Sequence, residues 1–217
     1  MPKPDYAAMR QAMVDSQLRA SGVNMPTVAD AMTRVYREEF VPADRGSVCY
    51  MDRCIPLGNG RVMHPPVTTG QMLEECDPAL GDNALLIGGA TGYVAALLAP
   101  RVARLTVVEE AEDLAAQAVP VIDAAANAEL KIAPMNEGHG ADAPYSLIWI
   151  EGAIEQLPQQ IEAQLADGGR LVCGTFDGAV SRLSIGMKRG GELALRSFAD
   201  ADIRLLPGFA KAKAFTF

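Results

Sequence analysis

The run ALLIGGATGYVAALLAPRVARLTVVEE, residues 84–110, decides the fold. Its first four residues, Ala84 to Ile87, form an uninterrupted apolar stretch of the length of a buried strand. Gly88, Gly89 and Gly92 break that stretch, and an apolar segment of helical length follows from about Thr91. A second apolar run, Leu105 to Val108, then closes on an acid, Glu109. Strand, tight turn, helix and strand make the βαβ unit of a parallel sheet. Residues 84–100 hold no charge, but the stretch is short for a membrane span and the glycines interrupt it.

The same alternation continues on the C-terminal side. An Ala-rich helical stretch, Ala111 to Ala126, leads to expected strands at Leu130 to Ala133 and Ser146 to Ile150, a helix near Gln156 to Ala166 and a strand at Arg170 to Gly174. The rhythm then changes to strand-like pieces at Arg182 to Lys188, Glu192 to Ser197 and Ile203 to Leu206, with Arg189-Gly190-Gly191 as a hairpin turn. On the N-terminal side, Asp5 to Ala20 and Thr27 to Tyr36 carry apolar residues at helical spacing, and Val41 to Pro66 loses its period among prolines and glycines. The expected fold is a doubly wound, Rossmann-like α/β sheet with N-terminal helices and an antiparallel C-terminal edge. It forms one domain, with residues 1–80 as a helical and loop extension and 81–217 as the core.

Composition narrows the function. The 217 residues are 49% hydrophobic and 21% charged, a globular balance that excludes collagen-like and disordered classes. Nineteen Lys and Arg against 27 Asp and Glu give a net charge of -8, so nucleic acid and anionic lipid are not expected partners. The first 20 residues lack the apolar core of a signal peptide, which points to the cytoplasm. Cys49, Cys54, Cys76 and Cys173 form no paired CxxC knuckles, and only His64 and His139 could join them, so no metal site is expected.

In an open α/β sheet, ligands bind beyond the carboxyl ends of the strands, where the turn from Gly88 to Gly92 falls. Glycine lets the backbone approach a ligand closely, and Glu109 stands where a carboxylate reaches a ribose diol. Gly88, Gly89, Thr91, Gly92 and Glu109 are therefore the candidate cofactor residues. The competing reading is a tight strand-to-helix turn with Glu109 capping the next helix. Two cofactor classes share this geometry. The string Gly89-Ala90-Thr91-Gly92 is similar to the turn of short-chain dehydrogenases, which would imply a nicotinamide nucleotide. That family begins with its first strand and uses a Tyr with Lys four residues on. Here about eighty residues precede the turn and no tyrosine has that partner.

Six segments taken together resemble protein-L-isoaspartate O-methyltransferases, from about Met13 to Gly208. The helix MVDSQLRA, residues 13–20, is similar to that family's "MVxxQLxxRG", and VADAMTRVYREEFVP, residues 28–42, to "VLxAMxxVPRxxFVP". Tyr50-Met51-Asp52 to Gly60 is similar to "YxDxPLPIGxGQTIS", Gly88 to Ala96 to "GTGSGYxAA", Ala143-Pro144-Tyr145 to "APYD", and Gly168 to Val172 to "GGRLV". The resemblance implies S-adenosylmethionine (SAM) as cofactor. It also implies methyl transfer to isoaspartyl carboxylates of damaged proteins, with a protein or peptide as partner. It brings His64 to the position of the family's active-site Ser, makes Met63 and Pro65 substrate-side candidates and adds Glu137 to the cofactor set, while Glu151, at the carboxyl end of the strand expected at Ser146 to Ile150, is a further substrate-side candidate by position.

This chain departs from the pattern at positions that carry chemistry. The acid before the glycine turn is Leu86, and the middle glycine is Ala90. An apolar side chain accepts no hydrogen bond and a methyl narrows the turn, so SAM is expected to bind weakly or not at all. A non-catalytic binding or scaffold protein on the same fold is the alternative.

Overall fold

The computed structural model describes residues 4–177 and 180–211. Seven strands form the main sheet: β3 (Asn83–Ile87), β4 (Arg104–Glu109), β5 (Ala128–Ile132), β6 (Tyr145–Ile154), β7 (Leu165–Phe176), β8 (Ser181–Arg189) and β9 (Glu192–Asp200). Their spatial order is β5-β4-β3-β6-β7-β8-β9. The pairs from β5 to β7 are parallel, and β7-β8 and β8-β9 are antiparallel. Chain order reverses at β3, between β4 and β6, which is the switch point where such sheets bind ligands. The doubly wound sheet and its antiparallel edge are those expected. Gly190 and Gly191, at φ +61° and +85°, make the two-residue turn that joins β8 to β9.

Helices α4 (Tyr93–Leu98), α5 (Glu112–Ala124) and α6 (Gln159–Gln164) supply the crossovers. In α5 the buried Leu114, Ala115, Ala118 and Ile122 share the face turned to the sheet, and Glu112 and Asp113 suit the positive end of the helix dipole. The helix expected from Gln156 to Ala166 is confined to α6. Pro158 sets its start by disfavouring helical backbone at Leu157, and Leu165 already belongs to β7. No helix among the described residues is long and apolar enough to cross a membrane.

The N-terminal region adds α1 (Tyr6–Met13), which runs on through tighter and wider turns to Ser21, and α2 (Pro26–Arg34). The loop expected from Val41 to Pro66 contains a hairpin, β1 (Ile55–Gly58) with β2 (Arg61–Met63). A helix that sequence reasoning did not identify follows, α3 (Pro66–Cys76). Its Val67, Thr68, Thr69 and Gly70 are poor helix formers, and packing overrides that propensity. A Cβ on Gly70 would lie 3.2 Å from Leu18 and from Val23 and 3.3 Å from Met32, so glycine lets the N-terminal layer settle on α3. Asp52 Oδ1 accepts the Val67 amide at 3.2 Å and serves the start of this helix from a distance.

Ile203 to Leu206, expected as a strand, joins the sheet through one parallel bridge, Ala153 to Leu205. The β3-β6 ladder ends at Ile87–Ile150, so the last residues of β6 have a free flank on that side. The C-terminal strap takes that flank: Arg204 O accepts from Ala153 N at 2.7 Å, and Ala153 O from Leu206 N at 2.8 Å.

Ala90 has φ +46°, the left-handed region that costs an L-residue roughly 1–2 kcal/mol. Glycine removes that strain but adds roughly 0.4–1 kcal/mol of unfolded-state entropy. In urea unfolding, Ala90→Gly is expected to be neutral or to stabilise by up to about 1 kcal/mol, whereas Ala95→Gly in the α4 interior should cost about 1 kcal/mol or more. Equal losses at both positions would show that the turn is not strained.

Candidate functional site

The site forms where β3 and β4 end side by side. Gly88 leaves β3 with φ +84° and Gly92 closes the turn with φ +96°. The sharp turn brings the Ala90 amide within 2.7 Å of Glu109 Oε2, at the end of the neighbouring strand. Sequence reasoning placed the turn and this acid together, and they are in direct contact. Glu109 Oε1 also accepts the amides of Glu110 and Ala111, both at 3.1 Å. The carboxylate thus serves the approach to α5 as well as the turn.

Arg61 completes the arrangement. It comes from β2, in the hairpin lying across the strand ends, and its Nη1 donates to Glu109 Oε2 at 2.6 Å and approaches Met135 Sδ at 3.3 Å. Nη2 donates to the Gly88 carbonyl at 2.9 Å. Both side chains of the pair are buried, at 3% and 0% exposure. Asn59 at the hairpin tip donates to Asp113 of α5, so the hairpin is tied down on both sides of the cleft. A carboxylate offers about four lone-pair directions, and Glu109 spends them on Ala90, Arg61, Glu110 and Ala111.

The glycines face protein as well. A Cβ on Gly88 would lie 2.7 Å from Arg61 Nη2 and 3.3 Å from Leu206 Cδ1. On Gly89 it would meet the Val107 side chain at 2.3 Å, and on Gly92 the α5 residue Ala118 at 3.3 Å. Thr91 Oγ1 donates to the Phe40 carbonyl at 2.8 Å. The cavity beside the turn, bordered by Leu57, Val62, Met63, Ala90, Tyr93 and Glu151, measures about 10 Å³. That is room for one water, against roughly 300–1,000 Å³ for a small-molecule site. With Arg61 in place, the groups that would hold SAM are present but occupied, and the closed cleft does not fit it. Grooves of about 520 Å³ exist elsewhere, beside α2 and α5 and away from the strand ends. Among the described residues no cluster of three or more His, Cys, Asp or Glu could hold a metal.

The substrate-side candidates lie next to this cleft. His64 is the residue that the resemblance brings to the active-site Ser position. It is buried, at 2% exposure, and it does orient a carboxylate, but one from its own chain. His64 Nδ1 lies 2.8 Å from Glu151 Oε1, and His64 Nε2 accepts the Arg204 amide at 3.3 Å. That pair of contacts assigns the proton to Nδ1 and leaves neither ring nitrogen free. Glu151 Oε2 accepts from Trp149 Nε1 at 2.6 Å. Glu151 is the first residue of β6 past the end of its β3 ladder, which aims it into the cleft. Met63 and Pro65 are buried on either side of His64. Glu137 stays apart: it is exposed, in a short turn after β5, and its backbone carbonyl accepts from Gln164.

Two arginines escaped sequence reasoning. Arg37 is fully buried, donates to the carbonyls of Cys49 and His64 at 2.8 Å each, and stacks 4.8 Å over the Tyr93 ring. Arg61 stands where the pattern "GxGQTIS" has its Gln, and that exchange was a legible signal. A cation two residues before a buried methionine, in a hairpin across a carboxylate-bearing cleft, has few places to go but inward.

The relatives agree with this architecture. The family model Protein-L-isoaspartate(D-aspartate) O-methyltransferase (PCMT) matches residues 8–198. A protein-L-isoaspartate O-methyltransferase of Roseiflexus sp. (strain RS-1) is 33% identical over 205 residues, covering 94% of this chain and 93% of its own. Protein-L-isoaspartate O-methyltransferase 1 of Rhodopseudomonas palustris (strain HaA2) is 32% identical over 204 residues, covering 93% and 83%. Among solved structures, a Plasmodium falciparum β-aspartate methyltransferase (PCMT) in complex with S-adenosyl-L-homocysteine (SAH) superposes with a TM-score of 0.77 at 15% identity, covering 94% of this chain and 99% of that one. A second protein-L-isoaspartate O-methyltransferase gives 0.76 at 20% identity, with 92% of this chain covering 66% of that one. The structures speak for the fold. With the family model and the sequence relatives spanning nearly the whole chain, they make it a member of the protein-L-isoaspartate O-methyltransferase family.

Proposed function

We infer that this chain is a protein-L-isoaspartate O-methyltransferase, acting on isoaspartyl carboxylates in damaged proteins with SAM as the methyl source. The observation that carries the reading is family membership over residues 8–198. The contact between the glycine turn and Glu109 at the sheet's switch point supports it. The chemistry asks little of acid-base groups. A carboxylate, with an ordinary pKa near 4, is already ionised at neutral pH and is its own nucleophile. Positioning is the protein's main contribution, and it can supply roughly 7–11 kcal/mol.

His64 and Glu151 fit positioning better than direct attack. The pair ties the end of the hairpin, the C-terminal half of β6 and the C-terminal strap into one unit beside the cleft. His64 therefore takes the role of a positioning residue rather than the catalytic one expected from its place in the motif. Met63 and Pro65 flank it, and Met63 borders the cavity beside the turn. The peptide specificity is tested by a methyl-release assay with an isoaspartyl peptide and its ordinary aspartyl counterpart. Methylation of the isoaspartyl peptide alone is expected, at a low rate. No methylation of either, by the wild type or by a variant with Arg61 replaced, would overturn the reading.

The Glu151 carboxyl gives a pH signature. Burial acts to raise its pKa, but hydrogen bonds from His64 and Trp149, with the nearby Arg61 charge, hold it below the ordinary value of 4.5. A depressed folded-state value adds stability that is fully present above the ordinary value and is lost as pH falls through the folded one. Glu151→Gln is expected to cost about 1–3 kcal/mol at pH 7, and the gap to wild type should narrow toward pH 3. A gap that stays constant in urea unfolding from pH 7 to pH 3 would remove Glu151 ionisation as its cause.

A further inference from the structure

The Arg61 guanidinium lies between the ends of β3 and β4, where the glycine turn and Glu109 meet. It donates to Glu109, the acid placed for a ribose diol, and to the Gly88 carbonyl at the start of the turn. It also contacts Met135 beyond β5. One side chain thereby spans three neighbouring strand ends, β3, β4 and β5. Leu206 of the strap packs beside it over Gly88. On the other side of the turn, the cavity bordered by Leu57, Met63, Ala90 and Glu151 is about 10 Å³, too small for a nucleoside ligand.

We propose that Arg61 is an internal occupant of the cofactor cleft, so that SAM or SAH binds only by displacing it from Glu109. The proposal rests on the methyltransferase reading and says what limits it: Arg61 sets the cofactor affinity. Three physical features support displacement over permanent closure. The Ala90 amide, Glu109 and the Gly88 carbonyl keep cofactor-like positions and would be free again once the guanidinium left. Arg61 belongs to a three-residue strand in a two-stranded sheet outside the main sheet, so its withdrawal breaks no central ladder. The hairpin turn, Gly58-Asn59-Gly60, holds three consecutive residues at positive φ, a compact pivot for such a movement. The guanidinium also repels a sulfonium cation in the same cleft, which weakens SAM further.

Isothermal titration with SAH and with SAM tests this on the full chain, using wild type, Arg61→Gln and a control, Arg34→Gln, at an exposed residue of α2. Glutamine keeps an amide donor for Glu109 and removes the charge, and the unfolding midpoint of each variant is measured alongside to verify folding. Wild type and Arg34→Gln are expected to bind SAH weakly or undetectably, and Arg61→Gln at least tenfold more tightly. Equal micromolar affinity in all three would overturn the role of Arg61 and leave the methyltransferase reading standing. No binding by any of the three, together with a silent methyl-release assay, would overturn both.

Discussion

The buried ion pair between Arg61 and Glu109 is the constraint on which the rest of the site depends. Glu109 ends β4 with no exposure, and an uncompensated carboxylate there would cost several kcal/mol. Its four donors come from the turn after β3, the approach to α5 and the hairpin. A single carboxylate therefore sets the turn conformation, the start of α5 and the position of the β1-β2 hairpin at once. The left-handed φ of Ala90 follows from the same demand, because that backbone geometry presents its amide to Glu109.

A second set of contacts holds the hairpin from the other side. His64 stands at the far end of the hairpin, bound to Glu151 of β6 and to the strap at Arg204. The strap lies there because β6 outruns β3 and leaves an unpaired flank, which Leu205 and its neighbours fill. Sheet geometry thus dictates where the C-terminal segment returns, and that segment places Leu206 over Gly88 and Gly152. Arg37, buried beneath, adds the carbonyls of Cys49 and His64 to the same scaffold. The cleft is closed by groups that also stabilise the fold, which makes opening it a question of energy rather than of missing parts.

Much of this was legible in the sequence. Apolar runs between glycine and charge give the strand positions for β3 and β4, because both are buried on two faces and read as continuous hydrophobic segments. That the glycine turn and Glu109 lie side by side at the strand ends followed from topology, whereas the hydrogen bond between them did not. What escaped is non-local. α3 forms against its own propensities because Gly70 admits the N-terminal layer. Ile203 to Leu206 carries strand-like residues but meets only a short stretch of free edge. The place of His64 depends on Glu151, 87 residues away, and that of Arg61 on Glu109, 48 residues away, and no local pattern reports such pairings. The exchange of Gln for Arg at position 61 was visible, but its meaning required knowing which carboxylate lay opposite.

The central claim is that Arg61 and Glu109 act as one energetic unit in the closed cleft. A double-mutant cycle with Arg61→Met, Glu109→Gln and the two combined, measured by urea unfolding at neutral pH, tests it directly. The account predicts strong non-additivity, with the double variant losing about 2–3 kcal/mol less than the sum of the single losses. Single losses that add to within about 0.5 kcal/mol would mean that the two side chains do not depend on each other, and would contradict the account.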